Sequence, residues 1–325
     1  MGLRDAGLQD MDSLSKWITE EAEHLGFDAC GIANATALKE ESAHVEQWLE
    51  GQCEGEMGYL TRNKEKRYDP RLLVEGTKSI VTVLYNYFPK QLLCNGEHYK
   101  IAKYAYGVDY HDVLKRKMRQ LLERIETQTG KLEGVRVFVD SAPVLDRAWA
   151  VRCGLGFIGK NTTLIHPKKG SFFFIGHLFL PLDLTETGRI MTNHCGRCTK
   201  CLDACPTGAL EAPFHIDARK CISYLTIEYK GSLVGLDPKS FKGWMYGCDI
   251  CQDVCPYNRF ALPNNEPEFQ PSDQLLAMCD EDWKNLNPTD FEALFKHSAV
   301  QRAGYEGLKR NINFISRESL CCRSV

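Results

Sequence analysis

Apolar positions along the first 185 residues switch between helical and extended spacing. Leu14, Trp17, Ile18, Ala22 and Leu25 recur every three to four residues and predict an amphipathic helix closed by Gly26. The β-rich run SIVTVLYNYF at 79–88 is stopped by Pro89. Asp109 is placed to cap a long helix bearing Val113, Leu114, Leu121, Leu122 and Ile125, with Gly130 beyond its end. Residues 135–139 (VRVFV) predict a short buried strand. Asp140 follows at once, and Ser141 with Pro143 reads as the start of a helix over Val144–Cys153 that Gly154 ends. The glycine-rich GLGFIGKN comes next, then strands at 162–166 and 171–180 around a turn at 168–170. This alternation predicts a layered α/β or α+β domain over 1–185. Short cysteine-rich elements fill 186–260. The remainder, 261–325, is polar and helical, with helices expected at 290–297 and 303–315.

Composition is that of an ordinary globular chain: 325 residues, 43% hydrophobic, 26% charged, net charge −3. It excludes a disordered, collagenous or coiled-coil chain and gives no global basic field for nucleic acid. The start lacks an apolar signal core. The longest apolar stretch, around 172–182, is interrupted by Gly176 and His177, so no membrane span is expected. A cytoplasmic location follows as the expectation, and there thiols stay reduced.

Cysteine departs from the average. Eight of the 15 fall between positions 195 and 255. The other seven (Cys30, Cys53, Cys94, Cys153, Cys279, Cys321 and Cys322) are scattered or terminal and read as buried or incidental thiols. Residues 195–206, CGRCTKCLDACP, follow C-x2-C-x2-C-x3-C-P, the bacterial ferredoxin run. Residues 248–256, CDICQDVCP, repeat it with one cysteine fewer, which Cys221 can supply. Three close cysteines wrap three corners of a cubane, and the fourth, beside proline, serves the neighbouring cluster. Cluster one then takes Cys195, Cys198, Cys201 and Cys255; cluster two takes Cys205, Cys221, Cys248 and Cys251. Zinc also uses paired CxxC but needs neither the triple run nor two Cys-Pro endings. Two adjacent cubanes make a path for single electrons, in a chemistry that many oxidoreductases share.

The segments VDSAPVLDRAWA (139–150), GLGFIGKNTTLI (154–165), GSFFFIGHLFL (170–180), CGRCTKCLDACPTGAL (195–210), CISYLTIE (221–228) and YGCDICQDVCPYN (246–258) together resemble the epoxyqueuosine reductase family, as does IAKYAYGVDYHDVLK (101–115). The resemblance spans roughly residues 15–260. It implies a cobalamin-dependent enzyme with two 4Fe-4S clusters that reduces the epoxide of epoxyqueuosine at the wobble position of tRNA. The implied architecture is an N-terminal cobalamin domain (1–185) related to nitroreductases and reductive dehalogenases, a two-cluster ferredoxin-like domain (186–260), and a short helical C-terminal segment (261–325) in place of the longer HEAT-like run of larger members. Val108 stands where many relatives have arginine.

Epoxide deoxygenation takes two electrons and protons. The clusters can deliver the electrons one at a time, a corrin cobalt can collect them, and an acid must protonate the departing oxygen. Asp140 is the candidate acid, with helix capping as its alternative role. The glycines of GLGFIGKN allow close approach to a planar cofactor, with Lys160 or Asn161 bonding it, or form an ordinary loop. The resemblance places Arg62, Lys103 and Ser223 near cobalamin, and Cys248 with Asp249 against the corrin. Lys230, Lys309 and Arg310 are candidates for tRNA phosphate. An external low-potential donor such as flavodoxin or ferredoxin is expected. A non-catalytic ferredoxin-type carrier and a cobalamin-dependent reductase of small molecules are the alternatives.

Overall fold

A computed structural model describes residues 11–93 and 98–321, with side chains to 316. The N-terminal start, Cys94 and Cys322 lie outside the described residues, as does the Cys321 side chain. A four-stranded sheet runs in the order Ala29–Asn34, Ser79–Asn86, Phe173–Leu180, Arg136–Phe138. All three pairings are antiparallel. The alternation of helices and strands was legible, but it does not fix strand direction: this sheet is antiparallel, and a parallel pair joins Lys100–Ile101 to Trp244–Tyr246.

The strand Ser79–Asn86 is apolar on both faces because both are covered. Val81, Val83 and Tyr85 face a core built with Ile18, Ala22, Val113, Leu114 and Met118. Ile80 and Leu84 face Leu38, Trp149 and Ala150. The first core is closed by helices Met11–His24 and Tyr110–Thr129. Asp109 caps the longer helix, its carboxylate accepting from the His111 N–H at 3.0 Å, a bond of about 1 kcal/mol. A Cβ at Gly176 would collide with Met118 Sδ, so glycine there lets this helix lie on the sheet.

The region after residue 138 departs from expectation. The helix begins at Asp146, not Val144, and ends at Arg152. Ser141 and Pro143 do not start it. Asp140 holds φ at +44°, a left-handed conformation that turns the chain sharply. Val144 then buries as an anchor, and only afterwards does the helix begin. The expected strand at 162–166 is the pair Leu164–Ile165, which returns on Phe157–Ile158. GLGFIGKN is therefore the first arm of a small hairpin. A Cβ at Gly156 would strike the Ile165 carbonyl, so close backbone approach within the protein occupies that glycine.

A second core unites distant segments. Tyr99, Ile101 and Ala105 pack with Ile222, Leu225, Phe241 and Met245, and with Phe291, Leu308, Ile312 and Ile315. Residues 275–315 thus share one core with the ferredoxin-like region. Asn311, fully buried on helix Gly304–Cys321, donates to the Thr226 and Met245 carbonyls, each at 2.9 Å. Among the described residues no helix is long and apolar enough to cross a membrane.

Candidate active site

The eight motif cysteines form no disulfides and are all partly buried, and they come together in two sets. Cys201 lies within charge range of Cys195 and Cys255, and Cys255 of Cys195 and Cys198. Those four line one cavity of about 280 Å³ with Lys160, His194, Lys200 and Arg259. Cys248 lies beside Cys221 and Cys205, and Cys251 beside Cys248 and Cys221. Cys251 also feels Cys201, so the sets are neighbours. Backbone N–H groups approach the sulfurs of Cys201, Cys221, Cys248 and Cys255, as thiolate ligands of a cluster require. Four converging soft donors around a cavity of this size fit a cubane. Of the remaining cysteines, Cys53 and Cys153 are buried, Cys30 is partly buried and Cys279 is exposed.

The second set is latched to the first domain by a buried ion pair. The Lys103 backbone N–H donates to Asp249 Oδ2 at 2.8 Å, and its Nζ reaches Asp249 at 3.4 Å and Asp253 at 2.6 Å. Lys103 and Asp249 are both nearly inaccessible. Burial raises the Asp249 carboxyl, and the Lys103 charge opposes that rise. The lysine expected beside cobalamin thus holds the Cys248–Asp249 loop against residues 102–106. Asn161 and Lys160 act similarly. Asn161, buried, donates to the Cys251 carbonyl at 3.3 Å, and Lys160 Nζ donates to the carbonyls of Gly196 and Cys198 at 2.7 and 2.9 Å. Both hairpin side chains bind cluster loops.

Asp140 occupies a cleft beside this junction. Its residue and Arg147 keep solvent-accessible surface, yet protein surrounds both closely enough to desolvate them. That combination describes the floor of an open cleft. Tyr110 O–H donates to Asp140 Oδ2 at 2.6 Å. The Tyr110 ring stacks on Phe174 at 4.2 Å and stands edge-on to Tyr104. Tyr104 donates to Tyr246, which donates to the Ala299 carbonyl. Burial, then the Asp146 charge, pushes the Asp140 carboxyl up; the Tyr110 hydrogen bond, His111 and Arg147 pull it down. Arg147 donates to the Thr162 carbonyl. Asp146, partly exposed and within charge range of Arg147, accepts from His177 Nε2 at 3.1 Å.

The loop ahead of residue 64 forms another side. Tyr59 senses Glu228, Asp140, Arg302 and Arg67, and the Glu56 N–H donates to Tyr224 O–H at 2.7 Å. Arg62 is exposed on this loop. Ser223 lies in the first turn of the helix Ile222–Ile227, its N–H toward Cys221. The three expected phosphate ligands have other partners. Arg310 donates to the carbonyls of Leu225, Tyr229 and Gly231. Lys309 donates to those of Lys284 and Leu286, and Lys230 to those of Ile227 and Arg302. They tie the C-terminal helix to its neighbours. Sequence reasoning did not single out Tyr59, Tyr110, Arg147 or His177. Only His177, a polar residue inside an apolar strand, carried a signal.

The fold and the thiol sets define a two-cluster iron–sulfur oxidoreductase with a separate acid-bearing cleft. Residues 194–258 match the family described as 4Fe-4S double cluster binding domain, and residues 67–141 match Epoxyqueuosine reductase QueG, DUF1730. The chain is 49% identical over 305 residues to the epoxyqueuosine reductase of Cellulophaga algicola, covering 93% of this chain and 97% of that one. It superposes at TM-score 0.84 and 28% identity on a crystal structure of epoxyqueuosine reductase with an epoxyqueuosine-modified tRNA-Tyr stem loop, over 94% of this chain and 81% of that one. The Bacillus subtilis enzyme, solved with an aspartate-bearing catalytic loop swung out of its active site, matches at TM-score 0.82 and 29% identity, with the same coverage. The chain belongs to the epoxyqueuosine reductase family.

Proposed function

We propose that this protein reduces epoxyqueuosine to queuosine in tRNA. One observation carries the reading beyond family membership: an acid in a left-handed turn is held by Tyr110, whose ring stands edge-on to Tyr104, and the neighbouring Lys103 is bonded to Asp249 in the loop that bears Cys248 and Cys251. A carrier that only relays electrons has no use for such an acid. The reaction consumes two electrons and two protons. Both C–O bonds of the epoxide break, the ring carbons become an alkene, and the oxygen leaves as water.

Cys195, Cys198, Cys201 and Cys255 hold one 4Fe-4S cluster, and Cys205, Cys221, Cys248 and Cys251 the other. The first faces the cavity rimmed by Lys200 and Arg259, where an external low-potential carrier such as flavodoxin or ferredoxin delivers electrons. A cobalamin would be held by the partly exposed rings of Tyr104 and Tyr110 beside the Cys248–Asp249 loop, with Arg62 and Ser223 as further candidate contacts. Bound there, it would supply a metal centre able to take up two electrons. Asp140, oriented by Tyr110, gives its proton to the opening oxygen. Burial and the Asp146 charge raise its affinity for that proton. The enzyme works in the cytoplasm, where its tRNA substrate resides, and Lys230, exposed near Arg302 and Glu228, remains the best placed of the expected phosphate ligands. The test is anaerobic incubation of reconstituted protein with epoxyqueuosine-containing tRNA. Nucleoside mass spectrometry should show loss of one oxygen; unchanged nucleoside with reduced clusters and bound cobalamin overturns the proposal.

A further inference from the structure

A fully buried histidine sits at the centre of the sheet. His177 is paired across the strands with Thr82 on one side and Phe138 on the other. Both of its ring nitrogens are engaged: Nε2 meets Asp146 Oδ1 at 3.1 Å, and Nδ1 meets Thr82 Oγ1 at 2.9 Å. Behind Thr82, the Cys153 thiol donates to Oγ1 at 3.2 Å. The Asp146 carboxylate can only accept, so Nε2–H donates to it. A neutral ring then accepts at Nδ1 from the Thr82 hydroxyl, whose oxygen accepts the thiol. The chain Cys153–Thr82–His177–Asp146 is fully satisfied in that one direction. It rises from the core to the first turn of the helix that borders the cleft.

We propose that His177 is a positioning residue: by holding Asp146, it fixes a negative charge near Asp140 that keeps Asp140 in the protonated form able to donate. The inference rests on the reading of Asp140 as the acid. After burial, Asp146 is the largest influence raising the Asp140 carboxyl. The groups facing Asp146 come from every neighbouring element: Arg67 from the helix Lys64–Tyr68, Tyr110 from the long helix, Arg147 from its own helix and Asp140 across the cleft. Arg67 and Arg147 would draw a loose carboxylate to themselves and blunt its effect. Around Asp140 itself, Arg147 and His111 favour its anion, which cannot donate, and Tyr59 and Tyr110 face it from the loop ahead of residue 64 and from the long helix. The His177 bond aims Asp146 from the sheet side. Such a buried, doubly bonded ring holds its partner more firmly than a surface ion pair does.

The test compares pH profiles of single-turnover reduction by the cluster- and cobalamin-loaded protein. Turnover that needs protonated Asp140 falls as pH rises through its raised pKa. Removing the charge in Asp146→Asn lowers that pKa, so the falling limb moves to lower pH by about 1 unit; on the limb, rates drop about tenfold at fixed pH. Asp146 is partly exposed, so this variant folds. His177→Leu shifts the limb in the same direction, and His177→Gln, which keeps an N–H donor, restores its position. A merely structural histidine would lower rates without moving the limb. An Asp146→Asn limb superimposed on the wild type overturns the proposal, as does a shift in His177→Gln equal to that in His177→Leu. Asp140→Asn separates the two readings: if it turns over normally, the proton-donor assignment fails; if it is inactive while Asp146→Asn is unshifted, only the positioning role fails.

Discussion

The cluster region and the Asp140 cleft are built in opposite ways. Seven of the eight cluster cysteines lie in two short runs, and short helices and backbone N–H groups set their directions locally. The surroundings of Asp140 draw on Tyr59, Arg67, Tyr110 and Arg147, with Lys103, His177 and Asp249 buried behind them, over nearly 200 positions of sequence. A cubane demands four thiolates in one small volume; closely spaced cysteines provide most of them, and the fold has only to bring Cys255 to one set and Cys205 and Cys221 to the other. An acid needs its surroundings tuned by burial, charge and orientation, and only tertiary packing supplies those.

The largest break in this comparison is loss of one ligand. Cys251→Ala should take iron from about eight to about four atoms per chain and abolish tRNA turnover, read by elemental analysis of anaerobically purified protein. Next comes the crossover. Cys255→Ala should damage the cluster of Cys195, Cys198 and Cys201 and spare its sequence neighbours Cys248 and Cys251; loss of the latter cluster alone, seen by paramagnetic resonance, would make the sets local and the crossover wrong. Third, Lys103→Met leaves Asp249 buried beside a lost cation. Thermal unfolding should show a loss of about 3–5 kcal/mol, where an exposed ion pair would show less than 1. Smallest is Arg310→Met, which strips three backbone carbonyls of their donor. It should lower stability by about 1–3 kcal/mol while tRNA affinity at low salt changes little. A steep loss of affinity with intact stability would return Arg310 to the phosphate contacts.

The same contrast explains what the sequence revealed. The long helix after Asp109 and the strand from Ser79 were legible because periodicity and caps are local signals. Asp140 was legible as a carboxylate at the end of an apolar strand. Its alternative as a helix cap was legible too, and falls because the helix begins six residues later, after a left-handed turn that no local pattern announces. Lys160 and Asn161 looked like cofactor ligands, since sequence cannot show that cluster loops pack beneath them. Lys309 and Arg310 looked like a basic patch, since a cation and its carbonyl partner are far apart in the chain. The partner of Asp146 lies 31 positions away on another strand, beyond any spacing rule.

The central claim is that the clusters deliver electrons and Asp140 delivers the proton. Its most direct test is a single turnover, with pre-reduced, cobalamin-loaded protein mixed with epoxyqueuosine-containing tRNA, following cluster oxidation by absorbance and nucleoside by mass spectrometry. Wild type should oxidise its clusters as queuosine appears, and Asp140→Asn, with equal iron, cobalamin and tRNA binding, should form product about 100- to 10,000-fold more slowly. Product formed by Asp140→Asn at the wild-type rate would contradict the account.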